Sequence, residues 1–344
     1  MSDIKERKLK ILNAIIKDYI MTAEPIGSRT IAKKYNLGIS AATIRNEMSD
    51  LEDMGFLMQP HTSAGRIPSE KAYRLYVDQL MEIRKLDALI EQSIKENYKQ
   101  YMQEIEKAIE YTAKTLAQLT NYTSLVLYPE IKLLNCKLVQ LIPIENERIL
   151  LVIITRENIV KNCEVELSQV LDDSELNKLN NVLNYFIRNL SVNIINDDFI
   201  SEIDQLTAKE RKILHEILTI IKKVSLAIDN KNKVYSNGMT NIFNYPEFND
   251  ITKAKHLLEI FQEKQTIAEL LKSYSKGLNI VIGNENVISE FKDCSLLTAT
   301  YRINGETIGT IGVVGPIRMN YSHVVSVLEF LSKELNSHIN KNKE

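Results

Sequence analysis

The spacing of apolar residues changes period several times along the chain, and those changes divide it into elements. From Ile4 to Ile20, the positions Leu9, Leu12, Ile15, Ile16 and Tyr19 recur at three and four residues, which predicts one buried face of an amphipathic helix. Pro25 and Gly27 break that pattern, and Ser28 has the side chain to cap a short second helix burying Ile31 and Ala32. After a turn at Gly38, Ser40 is placed to accept from the free amides of a third helix, which begins in AATIRNEMSDLEDM and stops at Gly55. FLMQP and GRIP then flank HTSA, predicting two short strands around a polar loop, a small β-wing. Helical spacing resumes in SEKAYRLYVDQLM. Leu86, Ile90, Ile94, Tyr98, Tyr101, Ile105 and Ile109 carry it on in near-heptad order, which predicts a long connecting helix over 83–120 that is also able to bring two subunits together.

Beyond Thr123 the period shortens to that of strands: SLVLYP, CKLVQLIPI, RILLVIIT and NCEVEL, with ENE as a turn between two of them. DDSELNKLNNVLNYFIRNL returns to helical spacing. A helix from Thr207 to Ala227, the polar loop YSNGMTNIFNYPEFND and a helix from Thr252 to Lys272 follow as a separate block. Strand pattern reappears in LNIVIG, CSLLTATYRI and TIGTIGVVGP, with a hairpin signal at Asn304 and Gly305, before a last helix from Ser322 to Ile339. Strands on both sides of a mostly helical block predict an α+β domain interrupted by an insertion.

At 344 residues the chain exceeds what one core usually serves, so a multidomain protein is expected. A net charge of -2 means that any surface for nucleic acid must be a local patch. Cys136, Cys163 and Cys294 are far apart and odd in number, so neither a disulfide frame nor a thiolate zinc site is indicated. The charged start MSDIKERKLKILNAII is unlike a signal peptide, and no run of about 18 apolar residues occurs; a cytoplasmic protein without membrane contact is expected.

Three helices followed by a wing match the winged helix-turn-helix, whose third helix enters the major groove. Ala41, Ile44, Met48 and Leu51 share that helix's apolar face, so Ala42 and Asn46 project oppositely, with Thr43 and Arg45 on the flanks. These types suit base edges: arginine can bond guanine at two points and asparagine adenine, while alanine and the threonine methyl suit the thymine methyl. Glu47, Asp50, Glu52 and Asp53 would repel phosphates, so only the N-terminal half of the helix should enter. Ser28 and Arg29 of the second helix, and His61, Thr62, Ser63 and Arg66 of the wing, are placed for the DNA backbone or minor groove, with Lys33, Lys34 and Lys71 nearby. Trihelical units with wings also mediate protein contacts. The alternative is therefore a ligand-sensing or enzymatic α+β protein whose winged unit is a docking module.

ISAATIRNEMSDLEDMGFLMQPHTSAGRIPSEKAYRLYVD resembles the signature of the HrcA family of bacterial heat-inducible transcription repressors, and the resemblance continues in NIFNYPEF and ETIGTIGVVGPIRMNY. It implies a winged head over 1–82, the connecting helix, a GAF-like domain over 121–192 and 275–344, and an inserted dimerisation domain over 193–274. It also implies a homodimer that represses the GroE and DnaK chaperone operons by binding an inverted-repeat operator, CIRCE, in double-stranded DNA. The GroEL chaperonin would maintain its active form.

Nothing else in the chain points to catalysis, and no cofactor is expected. Gly305, Gly309, Gly312 and Gly315 lack the spacing of a phosphate loop and lie in strand context, which predicts close packing instead. The five histidines form no zinc-binding pair, and Cys294 has neither a nucleophile elbow nor a local base. NYPEFND is either a contact loop or a proline turn that packs Phe248 inward.

Overall fold

The N-terminal helices form where local sequence dictates. In this computed structural model, which describes residues 5–61, 64–100, 105–128, 136–145, 147–155, 160–190, 206–227, 234–274, 277–303 and 306–341, α1 spans Glu6–Thr22 and turns Ile11, Leu12, Ile15 and Ile16 inward. It ends where Ala23 takes a left-handed φ of 58° and donates its amide to Tyr19. The second helix, α2, spans Ser28–Lys34 and buries Ile31, but Ala32 is only half-buried. Gly27 occupies the cap position, so Ser28 is the first helical residue rather than the expected cap. α3 follows at Ala41–Asp53, then strands β1 (Leu57–Met58) and β2 (Ile67–Pro68), which pair antiparallel as a wing. An isolated bridge between Ile26 and Arg66 ties the wing to the segment before α2. α4 (Glu70–Leu75), capped by Ser69, closes this head and runs on into a wider turn over Tyr76–Leu80.

The expected long connecting helix is instead two helices, α5 (Ala88–Gln100) and α6 (Ile105–Thr120). In one straight helix Tyr98 and Tyr111 would lie about 20 Å apart at 1.5 Å per residue. Their rings instead meet edge-on at 5.2 Å, and the Tyr98 hydroxyl pairs with Thr112, so the two helices lie side by side.

β3 (Thr123–Leu127), β7 (Val234–Asn237), β8 (Leu278–Ile282), β9 (Cys294–Ile303) and β10 (Glu306–Pro316) form one antiparallel sheet in the order β7-β3-β10-β9-β8. Alternation along its strands serves two cores. Val126, Leu297 and Val313 face α6 and the C-terminal helix α11 (Tyr321–Lys341), in a core continuous with that of the head. Leu125, Leu127, Leu296 and Val314 face the opposite core, which holds α9 (Ile251–Gln262) and α10 (Lys264–Ser273). The glycines of β10 allow close packing, as expected: a Cβ on Gly309 would collide with the Tyr301 ring, and one on Gly315 would lie 2.6 Å from Tyr122. Gly305 and Asn304 lie outside the described residues. Phe248 is buried, so NYPEFND is a packing turn, and Asp250 caps α9.

β4 (Cys136–Glu145), β5 (Arg148–Thr155) and β6 (Val160–Glu166) do not join that sheet. They form a sheet of their own, covered by α7 (Asp173–Leu190) and α8 (Ala208–Ala227) around a separate core. The insertion therefore lies between β3 and β7, and the expected bounds are corrected: the strands within 136–166 leave the interrupted domain, and the helices within 251–273 join it. Strand spacing shows that a segment is extended but not which edge it pairs with, and the pairing of Leu127 with Val234 spans the whole insertion. Among the described residues no helix is long and apolar enough to cross a membrane.

Candidate nucleic-acid interface

Ser40 starts α3 by accepting the Thr43 amide at 3.1 Å, and its hydroxyl also pairs with that of Thr43. Ile44, Met48 and Leu51 are buried against the other helices. That phase leaves Ala42, Arg45 and Asn46 exposed and Thr43 at the margin, as the periodicity predicts. Arg29 at the start of α2 is exposed, and Ser28 is half-buried beside it.

Acidic residues of α3 are neutralised by cations that lie far from them in sequence. Glu47 is buried, held by an ion pair to Arg7 and by Lys8 at 2.7 Å. The hydrogen bond from Lys8, and with it the one from Arg7, keeps the Glu47 carboxyl below its ordinary pKa although burial acts the other way. Lys8 also reaches Asp50 at 2.8 Å, and Arg66 of the wing binds Glu52 at 2.7 Å. Three of the four carboxylates thus carry a cation from elsewhere in the head. The signal was present in the spacing 44-47-48-51, which sets Glu47 on the apolar stripe, where a charge needs a partner.

Arg66 consequently faces α3 and braces the wing rather than projecting from it. Gly65 permits the close backbone approach beside the Ile26–Arg66 bridge: a Cβ there would lie 2.5 Å from the Ile26 carbonyl carbon. His61 is exposed at the wing tip, while Thr62 and Ser63 lie outside the described residues. Of the nearby lysines, Lys34 pairs with Asp18, and Lys71 donates to the Met54 carbonyl at 2.9 Å above the Phe56 ring. Lys33 is exposed.

Other reactive side chains lie apart from this surface. Cys294 is buried and its thiol pKa is pushed up by desolvation, which suits a core position and not a nucleophile. Among the described residues no cluster of histidine, cysteine or carboxylate side chains has the arrangement to hold a metal.

A capped third helix with a polar N-terminal half, beside a β-wing and carried on an α+β body, defines a winged helix-turn-helix protein. Comparison with known proteins supplies the family. The family described as the HrcA protein C-terminal domain matches residues 106–325. Proteins named heat-inducible transcription repressor HrcA are similar over nearly the whole chain. The one from Alkaliphilus metalliredigens is 44% identical, covering 97% of this chain and 97% of its own, and that from Clostridium tetani is 46% identical over 97% and 95%. A crystal structure of a hypothetical protein shares the fold, with a TM-score of 0.68, 23% identity, and coverage of 99% of this chain and 100% of its own. The chain belongs to the HrcA family of heat-inducible transcription repressors.

Proposed function

We propose that this chain represses chaperone operons by binding, as a homodimer, the inverted-repeat operator CIRCE, and that the GroEL chaperonin modulates its active form. The observation that carries the reading is the tip of α3. Ala42, Arg45 and Asn46 stand exposed just past a capped helix start, while Glu47, one residue further, is drawn inside. That end of the helix presents base-reading groups and the positive end of its dipole to a groove lined by phosphates. Arg45, Asn46, Thr43 and Ala42 read bases. Ser28, Arg29 and Ser40, together with His61, Thr62 and Ser63 of the wing, position the head on the backbone, while Arg66 braces the wing from inside through its pair with Glu52.

The dimer reading draws support from the inserted unit. Its sheet turns Val139, Leu141 and Leu151 into its own core and leaves Ile142, Ile144 and Val160 exposed. Two heads related by a two-fold axis present recognition helices about 34 Å apart, or a multiple of that, and so require an inverted repeat. The five-stranded sheet, with helices on both faces, serves as the GAF-like domain that joins head and insertion.

The test is a gel shift at several salt concentrations on the inverted repeat and on scrambled DNA. Arg45→Ala is expected to cost about 1–3 kcal/mol on the repeat and little on scrambled DNA. Equal loss on both would make Arg45 a phosphate contact, and no shift at any salt would favour a docking module. For the chaperonin, the operator-competent fraction is expected to rise beyond what an equal mass of albumin achieves; parity would end that part of the reading.

A further inference from the structure

We infer that Glu70 and Arg74 of the head and Asn284 and Glu285 of the body form a reciprocal latch that fixes the direction in which α3 points. They act as positioning residues for operator recognition. The inference rests on the reading of this protein as a dimer on an inverted repeat and adds which residues set the geometry of its heads.

Each side of the latch offers one carboxylate and one donor. Glu70 accepts the Asn284 amide at 3.0 Å and its side-chain amide at 2.9 Å. Glu285 accepts from Arg74 through both carboxylate oxygens, one of these bonds measuring 2.8 Å, and Arg74 also donates to the Ile280 carbonyl at 2.7 Å. The body side is held by its own hydrogen bonds. Asn286 is buried and donates to the carbonyls of Gly283, Phe291 and Cys294, while Glu285 also accepts the Ile282 amide at 2.8 Å. Gly283, at φ 53°, lets the Glu70 carboxylate occupy the space where a Cβ would stand.

The head side leads straight to the recognition helix. Ser69, next to Glu70, donates to the Gly55 carbonyl at 2.7 Å, and Lys71 donates to Met54, so the start of α4 is bolted to the end of α3. The core shared by head and body supplies attraction, through contacts such as Tyr73 on Tyr321 with ring centroids 6.0 Å apart. Apolar attraction is not directional and tolerates rocking, whereas paired charge-assisted hydrogen bonds hold one geometry. A dimer whose heads rock accommodates half-sites at the wrong separation; a latched one does not.

The experiment compares the full-length protein with Glu70→Ala and Asn284→Ala on three DNAs: the inverted repeat, the same repeat with its spacer lengthened by two base pairs, and an isolated half-site. Two base pairs rotate one half-site by about 70° at roughly 10.5 base pairs per turn. Wild type is expected to prefer the natural spacer by about 10-fold or more. Both variants are expected to lower that preference to about threefold, with half-site affinity within about twofold of wild type. A preference unchanged in variants that bind the half-site normally would overturn the latch. So would a parallel fall in half-site binding, which would mean that only the stability of the head had changed. A measurement without DNA separates this from the functional reading. The distance distribution between spin labels at Lys10 and Lys292 should broaden in both variants, and an unchanged distribution would overturn the latch whatever the protein binds.

Discussion

Glu47 decides what α3 can offer to DNA. A free carboxylate one residue after Asn46 would oppose a phosphate backbone, and burial between Arg7 and Lys8 removes it from the surface while locking α3 to α1. The Lys8 hydrogen bond leads in depressing its pKa, so the linkage runs in the usual carboxylate direction. The stabilisation is complete above the ordinary Glu titration range and is lost as pH falls through the lower folded value. Acid unfolding of the head should therefore show a component that Glu47→Gln removes, measured by circular dichroism between about pH 5 and pH 2. An identical acid transition in the variant would show that the pair contributes nothing. Ser40→Ala, by removing the cap, should cost about 0.5–2 kcal/mol of stability in urea melts. The exposed tip residues Ala42, Arg45 and Asn46 were legible from helix phase alone. The pairing of Arg66 with Glu52 was not, because those side chains meet only after the wing folds back over α3.

The inserted unit shows how an element can solve the problem of a strand edge. β4 lies at the edge of its sheet, and Asn180 and Asn184 of α7 bond its outer backbone: Asn180 pairs with both the amide and the carbonyl of Leu141, at 2.7 and 3.1 Å, and Asn184 does the same for Val139, at 2.9 and 2.7 Å. The side chains stand in for a missing fourth strand and close the edge to other chains. Asn180→Ala should cost about 1–3 kcal/mol, since it strands two backbone groups, and urea unfolding should register the loss. A cost near zero would mean that water replaces the amide. In sequence these residues appear only as two asparagines four apart on a helix, a spacing shared by many solvated faces. The near-heptad run before β3 was ambiguous in a similar way, because two helices lying side by side keep the same apolar spacing as one long rod.

For the whole molecule, the head shares a core with one face of the five-stranded sheet, and the insertion keeps a core of its own. On the proposed function, operator binding is expected to fall steeply with salt through phosphate contacts of the head, whereas a dimer contact through the exposed apolar residues Ile142, Ile144 and Val160 of the insertion is expected not to. Sedimentation and gel shift over the same salt series would separate the two. A dimer that dissociates in parallel with DNA release would place the subunit contact on charged surfaces instead.

Local order set the elements: the three helices and wing of the head, the cap at Ser40, and the exposed and buried faces of α3 follow from periods and caps within about a turn or a pleat of each residue. Resemblance over the head motif and the C-terminal strands added the family. Tertiary structure alone decided which strands share a sheet, where the insertion begins, and that the head carrying α3 is joined through Glu70 and Arg74 to a loop more than 200 residues away. Strand partners and ion pairs at such distances are chosen by the energy of the assembled core and its hydrogen bonds, and no short stretch of sequence carries that information.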